Sequence, residues 1–283
     1  MKNVIENQTY SKERSLYNIS NTSVINCSFL PLNDDGESPL KECENIEVIN
    51  SNFSLRYALW HVDGLTLNNV VLNEPCRAPL WYSKNITMNK SSLLGVKGFR
   101  ECNKISINFS KLISPEVFWR CDRINVNSSE ITSEYGFFLS KNIQIDSLTF
   151  KGKYSFQYVE NMNIRGSNFD TKDAFWHSKN VTVENSIIKG EYLGWYSEGL
   201  TLINCTIISH QPLCYCKNLK LVNCKMKECD LAFEYSEVDA SIIGSIGSIK
   251  NPKSGRIVVD SVGQIVKEDD KFVGNAEIIV GKR

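Results

Sequence analysis

Most of what would point to a function at first reading is missing from this sequence. There is no net charge: 32 basic residues balance 32 acidic ones over 283 residues. Proteins that neutralise phosphates carry an excess of Lys and Arg, so neither a nucleic-acid nor an anionic-membrane partner is expected. No apolar run approaches the roughly 20 residues of a membrane-spanning helix. The opening stretch, Met1-Lys2-Asn3-Val4-Ile5-Glu6-Asn7, lacks the apolar core of a secretory signal, which makes the cytoplasm the expected location. Histidines number three, and His61 and His177 fall in one repeat position but six repeats apart, too far to act together. A stacked aspartate cluster is absent as well, so no ready group of carboxylates for general acid–base work stands out. Ten cysteines are present, yet Cys205, Cys214, Cys216, Cys224 and Cys229 with His210 match no standard zinc spacing. No metal or cofactor is expected.

What is present is a repeat. Ser178-Lys179-Asn180-Val181-Thr182-Val183-Glu184-Asn185-Ser186 returns as Ser197-Glu198-Gly199-Leu200-Thr201-Leu202-Ile203-Asn204-Cys205, and again from Cys216, each time after 19 residues. Its first apolar column runs Thr22, Ile46, Leu65, Ile86, Ile105, Ile124, Ile143, Met162, Val181, Leu200, Leu219. A second column lies two residues on, from Val24 to Leu221, and a third includes Phe29, Phe53, Leu72, Phe150 and Phe169. Apolar residues two apart make a half-buried strand. A fixed period of this size is the signature of stacked supersecondary units.

Corner signals separate the strands. Asn21, Asn45, Gly64, Asn85, Asn142, Asn161, Asn180, Gly199 and Asn218 precede the first column, with Lys104 and Arg123 as departures. Asn and Gly tolerate the left-handed backbone that a sharp corner needs. Asn26, Asn50, Asn69, Asn185, Asn204 and Asn223 mark a second corner, followed by a small Ser or Cys. Cys43, Cys102, Cys121 and Cys216 share a column with Ser83, Ser140, Ser178 and Ser197. These cysteines read as small packing residues, kept reduced in the cytosol. A coil of strand, corner, strand, corner leaves no room for a helix. The fold class is all-β: a single-stranded right-handed parallel β-helix with 19-residue coils. One domain spans 1–283, with a polar cap over 1–18, regular coils over 19–237, and degenerate coils with a C-terminal cap over 238–283. There Val238, Ile257 and Ala276 keep the spacing of 19, and the charged stretch 267–271 reads as a solvated turn.

At Ala174-Phe175-Trp176-His177-Ser178-Lys179-Asn180 and Tyr192-Leu193-Gly194-Trp195, the chain resembles the pectin-lyase-like right-handed β-helix superfamily. More closely, it resembles a bacterial family of uncharacterised β-helix proteins. The resemblance covers nearly the whole chain and implies the fold; the smaller family brings no activity with it.

Two adjacent columns are candidates for function. All five tryptophans fall in one: Trp60, Trp81, Arg100, Trp119, Phe138, Gln157, Trp176, Trp195, Cys214, Phe233. The column before it, from Leu59 through Phe118, Phe137 and Phe175 to Ala232, never turns polar. Neighbours on a strand face opposite ways, which places the Phe column inside and the Trp column outside. The column after Trp reads His61, Tyr82, Glu101, Arg120, Leu139, Tyr158, His177, Tyr196, Tyr215, Glu234. Glu101 and Arg120, on adjacent rungs, are expected to pair. Trp81, Tyr82 and Trp119 around Arg100, Glu101 and Arg120 form the expected groove, and Arg favours an acidic sugar there. The reading is a binding module presenting Trp60, Trp81, Tyr82, Arg100, Trp119, Trp176 and Trp195 to a carbohydrate-like ligand or a protein partner. The alternatives are a polysaccharide lyase, hydrolase or epimerase working through Glu101 and Arg120, and a structural or assembly protein.

Overall fold

The computed structural model describes residues 2–32, 36–268 and 274–281. Among the described residues every regular element is a strand. The chain divides into two compact units, Met1–Gln144 and Ile145–Arg283, and each is a parallel β-solenoid.

In the first unit the long strands Ser20–Ile25, Glu44–Ile49, Asp63–Asn68, Lys84–Asn89, Asn103–Asn108 and Asp122–Asn127 stack in parallel. Their register sets Val48, Leu67, Met88, Ile107 and Val126 side by side, and all five are buried. Shorter strands such as Asn52–Phe53, Val71–Leu72 and Ser92–Leu93 carry the third column. The expected cap over 1–18 contains a rung of its own: Asn3–Glu6 pairs with Ser20–Ile25, and Tyr10 stacks on Phe29 at 5.3 Å. Asn3 in place of an apolar residue beside Thr22 hid that rung in the sequence, although Ile5 falls in the second column beside Val24. Longer coils carry extra residues between strands at 32–38, of which 33–35 lie outside the described residues, and at 73–79.

The second unit repeats the scheme with the strands Glu160–Arg165, Lys179–Glu184, Glu198–Ile203 and Leu219–Asp230. Near its C-terminal end the spacing departs from the expected 19. Ala240 lies beside Ile257, 17 residues on, and Ile257 beside Ile278, 21 on. Register shifts change it further within the strands, from 19 to 18 between Leu221 and Cys224 and from 17 to 16 between Ile242 and Ser245. Extended strands Glu237–Lys250 and Ser254–Val266 replace the cornered coil there. Of the predicted turn at 267–271, Asp269 to Lys271 lie outside the described residues.

The corners show why these residue types recur. Asn21, Asn45, Asn85 and Asn180 all have positive φ, and so do Lys104 (55°) and Arg123 (58°), which depart from the Asn/Gly pattern. A left-handed residue other than Gly costs about 1–2 kcal/mol, and stacking along the rungs offsets it: Asn45 donates to Asn21 at 2.6 Å and Asn69 to Asn50 at 2.8 Å. A Ser or Cys that follows a left-handed corner residue, as Ser83 follows Tyr82 and Cys224 follows Asn223, ties the coil to its neighbour. Ser83 Oγ donates to the Leu59 carbonyl at 2.7 Å and accepts the Val62 N–H at 3.0 Å. Ser140 does the same with Phe118 O and Cys121 N–H, and Ser236 with Leu213 O and Cys216 N–H. Cysteines take the donor half of this role, as Cys224 Sγ does to Leu202 O at 3.3 Å. All ten cysteines are buried thiols. Burial pushes Cys76 up to about 12 and Cys43 to about 11.

Candidate functional site

One corner carries three columns in succession: a buried Phe, a half-buried aromatic and an exposed left-handed residue. The inner column is as expected. Phe118 and Phe137 are fully buried and stack at 4.7 Å; Phe156 and Phe175 stack at 5.0 Å. One residue on, the Trp column faces outward, and its rings lie half-buried against one another.

In the first unit Trp60 packs on Trp81 at 4.9 Å. Arg100 lies over Trp81 at 5.4 Å and over Trp119 at 4.9 Å, while Phe138 covers the other side of Trp119 at 4.5 Å. The guanidinium also binds Glu116 at 3.1 Å. Both neighbours of Trp81 and Trp119 along the stack are therefore this chain's own side chains, and Arg100 is already paired. Glu101 and Arg120, expected to pair with each other, sit on the exposed corner column at φ 51° and 53° with no ion pair between them. The residues assigned to a groove thus form two neighbouring columns, one packed and one exposed. The geometry removes the reason for preferring an acidic sugar.

In the second unit Trp176 and Trp195 stack at 5.3 Å with 4° between planes. Their indole N–H groups donate to the carbonyls of Tyr192 at 2.6 Å and Gln211 at 2.8 Å. Trp60 does likewise to Ala78, whereas the buried Nε1 of Trp81 has no partner. The sequence register slips by one at the last coil. Phe233, assigned to the Trp column, is fully buried with φ 68° and continues the inner column after Leu213. Glu234 then takes the Trp position, and Tyr235 (φ 53°) the exposed one. The spacing from Leu213 to Phe233 is 20, following a register shift between Ile208 and His210.

With that correction the exposed column of the second unit is unbroken: Tyr158, His177, Tyr196, Tyr215, Tyr235. The first four rings stack at 4.9, 5.0 and 4.8 Å with 6–10° between planes, and Tyr215 meets Tyr235 at 5.8 Å. Tyr158 is 43% exposed and Tyr196 46%. The run of Tyr with one His was visible in the sequence as far as Tyr215, but their coplanar stack was not among the expected site features. In the first unit the same column holds His61 and Tyr82, 5.2 Å apart, and then loses its aromatic character at Glu101, Arg120 and Leu139.

A concavity of about 430 Å³ on the second unit is lined by Gly152, Asp170, Lys172, Glu191, His210 and Glu228 among others. Lys172 binds Glu191 at 2.8 Å and holds that carboxyl below the usual carboxylate range. His210 Nδ1 lies 2.7 Å from Asp230.

Residues 3–280 match the family described as "Protein of unknown function (DUF3737)". The chain belongs to that family. No curated protein matches it. Among solved structures, it is similar to PfbA, a surface adhesin of Streptococcus pneumoniae, at 10% identity and TM-score 0.42, covering 89% of this chain and 85% of that one. It is also similar to the periplasmic alginate epimerase AlgG, at 11% identity and TM-score 0.28, covering 92% and 76%. The tailspike of E. coli bacteriophage HK620, solved with a hexasaccharide, aligns at 9% identity and TM-score 0.23, covering 97% and 56%.

Proposed function

We propose that this protein is a binding module and that the exposed Tyr/His ladder of residues 158–235 is its contact surface, for a protein or a carbohydrate-like partner. The ladder itself supports this reading. A buried aromatic stack needs no further explanation, but one left 43–46% exposed at Tyr158 and Tyr196 presents rigid ring edges to solvent. Tyr supplies large amphipathic contact area at low entropic cost, because it has two side-chain torsions. The Trp residues of the neighbouring column act as its backing. A reducing compartment, the cytoplasm, belongs to the proposal and is supported by the ten buried thiols. The test is a screen of glycans and candidate proteins, followed by His177→Ala and Tyr196→Ala. Loss of binding with only a small drop in melting temperature is expected; a partner that binds both variants as well as wild type would remove the ladder from the function.

A second reading, a polysaccharide-modifying enzyme, has one observation in its favour. His210, oriented by Asp230 beside the concavity, has the geometry of a general base. Turnover of a polysaccharide panel that falls on His210→Ala would support it.

A further inference from the structure

The spacing of the ladder restricts what can lie along it. Its rings recur every 4.8–5.0 Å. An α-helix repeats at about 5.4 Å per turn and drifts out of phase by roughly 2 Å over four rungs. An extended strand presents one face about every 6.6 Å and drifts by roughly 7 Å. A polypeptide surface that stays in phase over several rungs is another β-stack, whose strands lie about 4.8 Å apart.

A second pattern runs beside the ladder. Two residues beyond each ring stand Glu160, Lys179, Glu198, Lys217 and Glu237, alternating in sign rung by rung. The first four side chains are exposed. Such a column is complementary to itself when reversed and displaced by half a rung. A two-fold axis perpendicular to the strand stack, passing between the rungs of His177 and Tyr196, faces the ladder with its own copy. It sets Lys179 opposite Glu198 of the second copy and Glu160 opposite Lys217. The rings of Tyr196 and His177 then face each other across the axis, a phenol donor against an imidazole acceptor. An axis passing through a rung would set like charges together, so the alternation selects the register as well as the orientation. A perpendicular two-fold axis closes the assembly at two copies.

We propose that the partner of this surface is a second copy of this chain, bound ladder to ladder in antiparallel orientation through residues 158–217. This rests on the reading of the ladder as a contact surface and names its occupant. The contact is narrow, so a weak, concentration-dependent dimer is expected.

Sedimentation velocity of the full chain over a rising concentration series tests it, with the melting temperature of every variant measured alongside. Wild type should pass from monomer to dimer. Glu198→Lys should weaken the dimer about tenfold or more, because it meets Lys179 of the second copy. Lys179→Glu should do the same. The double variant Lys179→Glu/Glu198→Lys restores opposite charges across the axis and should recover the dimer. Lys179 also pairs with Glu160 of its own chain at 4.0 Å and lies beside its own Glu198, so a purely intramolecular role predicts that the single variants lower the melting temperature and leave association unchanged. A monomeric wild type at every concentration, a dimer insensitive to Glu198→Lys, or a double variant no better than the singles would each overturn the proposal. Should wild type stay monomeric while a glycan or another protein binds through Tyr196, the dimer fails and the binding reading stands.

Discussion

The two units run the same repeat through the same corner with different side chains. In Met1–Gln144 the half-buried column is a mixed stack, Trp60, Trp81, Arg100, Trp119, Phe138, held by dispersion and cation–π contacts. The exposed column beside it turns charged. In Ile145–Arg283 the half-buried column keeps Trp176 and Trp195 and passes to Cys214, while the exposed column is aromatic on every rung from Tyr158 to Tyr235. Both arrangements keep a buried, non-polar inner column, Phe on most rungs, and the Ser/Cys ties. Those deeper layers specify the coil, and the exposed column is free to carry something else.

Breaking the shared layer has the largest expected effect. Phe137→Asp places an unpaired carboxylate where the ring is fully buried against Phe118, and it should cost more than about 4 kcal/mol, enough to abolish cooperative unfolding in a melting experiment. A melt within a few degrees of wild type would mean the strand faces are inverted. Next come the ties. Ser140→Ala and Ser236→Ala each strand a buried carbonyl and a buried N–H. Denaturant titrations should show losses of about 1–3 kcal/mol, similar in the two units.

The outer columns should separate the units. Trp176→Phe removes a donor bonded to the Tyr192 carbonyl at 2.6 Å, whereas Trp81→Phe removes an indole N–H that has no partner. The first should cost about 1 kcal/mol more than the second, read from paired melts; equal losses would show that the ring stack alone matters. Smaller still is a pH effect at Asp173, which is 7% exposed with φ 52°. Burial raises its carboxyl above the ordinary value. The folded state therefore binds the proton more tightly than the unfolded state, and stability falls as pH rises from the usual carboxylate range through the raised value. Asp173→Asn should stabilise at neutral pH and lose that advantage in acid, where Asp173 is neutral too.

Much of this architecture was legible because coil and period are one statement: apolar residues two apart, a corner Asn, a small residue, then the same again 19 later. The inner position of Phe118 and Phe137 and the outward Trp column followed from strand alternation. Three features escaped. The first rung carries Asn3 where the first apolar column would continue. The 17- and 21-residue steps after Ala240 follow from how many residues separate successive long strands, and no local residue type announces them. The site escaped in part for the same reason: one extra residue before Phe233 moved Tyr235 out of its column. For the rest, Trp and Arg drew the reading toward Trp81, Arg100 and Trp119, whose rings and charge are engaged within the chain. Whether neighbouring rings cover one another depends on side-chain direction, which spacing does not reveal.

The central claim is that adjacent columns divide the work, with Trp holding the coil and Tyr meeting a partner. Its most direct test is Trp195→Ala beside Tyr196→Ala, with melting temperature and association measured on the same samples. Trp195→Ala should lower the melting temperature, since it removes a stacked ring and the hydrogen bond to Gln211 O. Tyr196→Ala removes a more exposed ring without a side-chain hydrogen bond among the described residues, so it should lower the melting temperature less and weaken association with the second copy, or with a glycan or protein found by the screen. A Tyr196→Ala protein that melts far below wild type and still associates normally would contradict the claim.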